Sequence, residues 1–192
     1  MFKFLKKKFK EKKGLNSIEM VIGSLVTITL FAGITDFINI SNRMQNISST
    51  MSYISKVMSN QGCLSNNPES IYVNSDGSQY YHIDYIKNKK YITTNTLYNS
   101  VTQIMKNDNI PTSEWRVYIN NELLTPQTNT KVFDFREKIP IKIEIDYNWA
   151  TLSKILPVGQ NTLSGTFKSS QSIISTYQIR ESDGSIGFQY NE

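Results

Sequence analysis

Between Glu19 and Asp36 lie sixteen uncharged, mostly apolar residues, and Phe37–Ile40 extend the run. As a helix, about 20 apolar residues are enough to cross a bilayer. Seven lysines stand ahead of it: Lys3, Lys6, Lys7, Lys8, Lys10, Lys12 and Lys13. Within the next dozen residues behind it the only basic side chain is Arg43. This asymmetry predicts a cytoplasmic N-terminus and an extracellular C-terminal body, with lipid around a span at about residues 18–40. The same lysine block explains the net charge of +5, because residues 1–14 alone carry +6 and the remaining 178 residues carry −1. The basicity thus belongs to a short tag, and nucleic acid is not an expected partner of the body. With 39% hydrophobic and 19% charged residues, the chain is neither a disordered polyelectrolyte nor a polytopic membrane protein.

A secretory signal peptide, an uncleaved signal anchor and a processed leader all share a basic start and an apolar core. Here the core contains Glu19, and no A-x-A-like site follows it. A further feature is the sequence Gly14-Leu15-Asn16-Ser17-Ile18-Glu19. A glycine closes the lysine run, an apolar residue follows, and a glutamate stands five places after the glycine. A glutamate within an apolar helix costs on the order of 3 kcal/mol and is a functional candidate by default.

This arrangement resembles the class III leader of type IV prepilins and pseudopilins. The resemblance implies a prepilin peptidase that cuts between Gly14 and Leu15 on the cytoplasmic side, leaving the apolar span in the mature protein. It further implies that Glu19 serves assembly, pairing with the new α-amino group at Leu15 of a neighbouring pilin-like subunit. Asp36, about 26 Å further along a helix at 1.5 Å per residue, reads as interfacial.

Past the span, Phe37, Ile40, Met44, Ile47, Met51, Ile54 and Met58 recur at alternating spacings of three and four. Such a stripe predicts one helix from about Leu15 to Gln61, packed on its own domain or, alternatively, on a coiled-coil partner. Gly62 ends it, and SNNPES (65–70) is a turn-rich exit. Residues 71–73 and 79–87 flank NSDGS as a hairpin. Asn95–Asn107 reads as a short helix with Leu97, Val101, Ile104 and Met105 inward. Strands are expected at Glu114–Ile119, Lys131–Arg136 and 140–149. In the last of these Ile141, Ile143, Ile145, Tyr147 and Trp149 alternate with Lys142, Glu144, Asp146 and Asn148, one face buried and one wet. A polar strand region (162–181) and a C-terminal hairpin (TYQIR–ESDGS–IGFQY) follow.

The expected fold is therefore α+β: a long N-terminal helix, its first half membrane-spanning, packed on a mainly antiparallel sheet. The expected organisation is a basic leader (1–14), the helix (15–61) and an extracellular α+β head (62–192). The stretch from Ile141 to Glu181 is similar to the C-terminal pattern of TadE-like minor pilins, of the kind found in conjugative elements of low-GC Gram-positive bacteria.

Candidate chemistry in the head is sparse. His82 and Asp84 would share a strand face, but no nucleophile motif or second histidine accompanies them. Cys63 excludes an intramolecular disulfide and reads as a structural cysteine. Tyr80, Tyr81, Tyr85, Lys87, Lys89, Lys90 and Tyr91 form an aromatic–basic cluster, read as a tyrosine-rich strand and a lysine turn rather than a binding site. Asp134 and Glu137 do not form a recognisable catalytic pair. No metal, nucleotide or other cofactor motif is present, and no enzymatic role is expected. The sequence points to a structural subunit of a pilus, pseudopilus or conjugation- or secretion-associated structure at the cell surface. The alternative is an uncleaved single-pass membrane protein whose extracellular head binds a ligand.

Overall fold

A computed structural model describes residues 12–67, 72–73, 79–80, 91–156 and 163–177. His82, Asp84, most of the tyrosine–lysine cluster and the C-terminal hairpin lie outside the described residues. The fold is α+β, a long N-terminal helix followed by a four-stranded antiparallel sheet. Helix α1 runs unbroken from Lys12 to Gln61. Nothing in it stops a helix, since it holds no proline and Gly23 and Gly33 have open space around them. It ends at Gly62, whose φ of +68° is the left-handed conformation that suits glycine.

The chain divides into two compact units, residues 1–41 with 148–165, and residues 42–147 with 166–192. The second unit holds the main core. From α1 it takes Ile47, Met51, Ile54, Val57 and Met58. Helix α2 (Thr94–Asn107) adds Leu97, Val101 and Met105. The Thr93 hydroxyl caps α2 by accepting from the Thr96 N–H. Ile104, expected inward, is only half-buried, because Leu97, Val101 and Met105 already fill the buried face.

The sheet order is β4-β3-β5-β6, with β3 Trp115–Ile119, β4 Glu122–Leu123, β5 Lys138–Asn148 and β6 Ser164–Ile174. A separate short pair, β1 (Tyr72–Val73) and β2 (Gln79–Tyr80), is antiparallel, as the NSDGS turn predicts. Asn120 and Asn121 both have positive φ, 54° and 65°, and form the tight β3–β4 turn. The β3–β5 register sets Trp115, Val117 and Ile119 opposite Ile145, Ile143 and Ile141 on the core face. Arg116 and Tyr118 stand opposite Glu144 and Lys142 on the other.

Two expectations need correction. Lys131–Arg136 is not a strand. Its neighbours Val132 and Phe133 are both buried, which period-two alternation forbids. Instead the Phe133 N–H donates to Gly62 O at 2.8 Å, and the Arg136 N–H donates to Ser175 O at 2.9 Å. Phe37 and Met44 do not belong to the buried stripe, being 63% and 52% exposed. The buried residues nearest them are Asp36 and Ile40 in the first unit and Ile47 in the second.

Candidate functional site on the N-terminal helix

Gly14 and Leu15 lie in the first turns of α1, and Glu19 follows one turn later with an exposed side chain. From Met20 to Phe31 the apolar side chains are exposed: Met20, Val21, Leu25, Leu30 and Phe31 each show 60–75% of their surface. The polar residues among them are satisfied by the helix itself. Ser24 Oγ donates to Met20 O at 2.7 Å, Thr27 to Gly23 O at 2.8 Å, and Thr29 to Leu25 O at 2.8 Å. A hydroxyl bonded to the carbonyl four residues back needs no water, which suits a helix in an apolar medium. This one helix is long and apolar enough to cross a membrane.

Asp36, which the spacing reads as interfacial, is enclosed by its own chain. It is 2% exposed. Its carboxylate accepts the Thr151 N–H at 3.0 and 3.1 Å and the Leu152 N–H at 2.8 Å. These donors open helix α3 (Leu152–Ile155), so Asp36 caps a helix more than a hundred residues away. No spacing rule in the sequence signals this, because the partners are main-chain groups.

In the second unit, Arg43 donates to Glu114 and to the Asp146 carbonyl. The outer face of the sheet carries an ion network. Glu144 lies 2.8 Å from Lys142, 3.2 Å from Arg116 and 3.7 Å from Lys168. Asp146 meets Arg116 at 2.8 Å and accepts from the Thr166 hydroxyl at 2.7 Å. Lys142 above all, then Arg116, hold the Glu144 carboxyl below the usual range against the desolvation that would raise it. Asp146 is lowered chiefly by Arg116, and Arg116 is raised chiefly by Asp146. Glu144, expected on a wet face, is 7% exposed and offset by these cations. Three cations against two carboxylates leave the network at +1, a clamp across β3, β5 and β6.

Cys63 is fully buried, with its sulfur 3.5 Å from the Tyr91 hydroxyl. Glu137 accepts the Asp134 N–H at 3.1 Å and pairs with Lys131, which makes 134–137 a turn rather than an acid–base dyad. Among the described residues no group of His, Cys, Asp or Glu is placed to hold a metal ion.

The architecture defines an α+β protein whose N-terminal helix is capable of crossing a membrane. No protein-family model, no curated protein and no solved structure matches the chain.

Proposed function

We propose that this protein is a prepilin-like structural subunit. It inserts with its N-terminus in the cytoplasm and its head outside, and a prepilin peptidase cuts it between Gly14 and Leu15. Its N-terminal helix then packs with other pilin-like subunits in a pilus, pseudopilus or conjugation- or secretion-associated surface structure, of which TadE-like minor pilins are the nearest type. Its role is assembly and contact.

One observation carries the reading. Glu19 is the only ionisable residue between Gly14 and Asp36, and it stands exposed on an apolar helix. A lone carboxylate there favours a partner of opposite charge. Cleavage at Leu15 creates one, and two such charges at low dielectric offset each other's desolvation.

The test is the mass of the protein recovered from its native membrane, with Glu19→Ala assayed in parallel for oligomer yield. The expected protein begins at Leu15, and Glu19→Ala is cut but does not assemble. Native protein that retains residues 1–14 overturns the reading.

A further inference from the structure

We infer that residues 149–156 form a second membrane-embedded element, lying in lipid beside the α1 span. The inference rests on the reading of α1 as a membrane span. This segment leaves β5 after Asn148 and belongs, with residues 1–41, to the first compact unit.

Depth is the first argument. The Asp36 carboxylate fixes the start of α3. Four residues on, Ile155 forms one wall of an apolar groove of about 360 Å³ whose other wall is Met20, Val21, Ser24, Leu25 and Ile28. Ile28 lies eight residues before Asp36, or about 12 Å along the helix. With Asp36 at the outer edge of a hydrocarbon layer about 30 Å thick, Ile155 stands well inside it.

Composition is the second argument. Trp149, Ala150, Leu152, Ile155 and Leu156 are apolar or amphipathic, and Lys154 is the only charge. Lys154 is exposed, and a lysine stem can carry its ammonium back to the interface. Trp149 precedes the dip, where an interfacial indole belongs.

Backbone satisfaction is the third argument. Main-chain N–H groups in lipid must be paired within the protein, and most of those in this segment are. The Trp149 N–H donates to Leu163 O, Ser153 to Trp149 O, Lys154 to Thr151 O and Leu156 to Leu152 O. The two N–H groups at the start of α3 go to Asp36. The buried Asp36 carboxylate thus leaves these two N–H groups paired at depth. The occupant of the apolar groove is lipid acyl chain, continuous with the lipid around α1.

The test uses the full chain in phospholipid vesicles at high lipid excess. On a Cys63→Ala background, Leu25→Cys, Ile155→Cys and Gln103→Cys each carry an environment-sensitive fluorophore. A phospholipid spin-labelled in its acyl chain is the quencher. Leu25 and Ile155 should be quenched alike, and at least about twice as strongly as Gln103, an exposed polar residue of α2 in the proposed extracellular head. Ile155 quenched only as weakly as Gln103, while Leu25 is quenched, overturns the inference and leaves the span intact. Leu25 unquenched sinks the membrane span and the inference with it. Ile155 quenching that appears only as the protein is diluted means a second copy covers the groove, which also overturns it. Trp115→Phe avoids the cysteine background and leaves Trp149 as the only tryptophan. Its emission should be quenched by a label near the headgroup, and insensitivity to that label counts against the inference.

Discussion

Gly62→Ala should be among the most damaging single-methyl additions in the chain. Gly62 terminates α1 at φ +68°, a conformation that costs a residue with a Cβ about 1–2 kcal/mol. The added methyl would also lie 2.7 Å from Phe133 O and 2.9 Å from Tyr177 Cβ and Cδ1. Phe133 O is main chain, and its own residue is tied back by the Phe133 N–H to Gly62 O bond, so it cannot simply turn aside. Overpacking of this kind adds roughly 1–3 kcal/mol. The sum, about 2–5 kcal/mol, is a large share of an ordinary domain's stability of about 5–15 kcal/mol. Urea unfolding followed by tryptophan fluorescence measures it, because Trp115 sits in the same core. Gly62→Asn separates the two causes. Asparagine tolerates positive φ but brings the same Cβ, so it should be nearly as harmful if contact dominates and much milder if strain does. Gly33→Ala, with nothing within 4 Å, is the control and should leave the midpoint unchanged. A loss below about 1 kcal/mol for Gly62→Ala would refute the reasoning, since strain alone is expected to reach that.

Glu144 and Asp146 have carboxyls held below 4.5 and 3.8, so their contribution is present above those values and lost as pH falls through the lowered ones. The urea midpoint should therefore hold from neutrality to about pH 5 and drop below it, with a shallower drop in Glu144→Gln. Asp36→Ala should speed hydrogen exchange at the Thr151 and Leu152 amides by about tenfold or more, the loss of a charge-assisted bond, with exchange in α2 unchanged. A fragment starting at Asn42 keeps every α1 residue of the main core and should melt cooperatively. A fragment starting at Gly62 loses Ile47, Met51, Ile54, Val57 and Met58 and should aggregate, as light scattering would register. Gly14→Leu should retain the mass of residues 1–14 in protein recovered from cells, where the parent chain loses it.

The parts of the fold readable in the sequence are those where one physical period dominates. Ile141, Ile143 and Ile145 alternate against charged neighbours, and the strand is there. The α1 stripe was legible at Ile40, Ile47, Met51, Ile54 and Met58, which are buried, but not at Phe37 and Met44. A strict seven-residue repeat drifts about 20° per heptad on a straight helix, so a stripe in phase at Met58 can leave the buried face toward its N-terminal end. In the second unit the buried α1 residues are Ile47, Thr50, Met51, Ile54, Val57, Met58 and Gln61, and Met44 falls off that face. In the first, Ala32, Asp36 and Ile40 are buried and Phe37 is not. Alternation in KVFDFR resembled a strand, yet Arg136 has φ +67° and the segment's hydrogen bonds go to Gly62 and Ser175. Local pattern could not announce partners so distant in the chain. The Asp36 cap was illegible for the same reason.

Two acids on one apolar helix meet opposite fates, and the contrast bears on what the helix is for. Asp36 is closed off within the chain: two main-chain N–H groups of its own protein donate to its buried carboxylate. Glu19, placed where the helix is exposed on every described turn, lacks such an enclosure. Serine and threonine on the same span satisfy themselves by bonding back to their own helix, so polarity alone does not demand a partner there. A glutamate is different, because a charge in an apolar medium is not relieved by a bond to a carbonyl oxygen, which only accepts. It needs donors or a cation. The chain thus resolves one carboxylate internally and leaves the other facing outward, in the half of the helix nearest the proposed cleavage. The proposed assembly predicts that asymmetry: one carboxylate committed to its own protein, and Glu19 left for a neighbouring subunit.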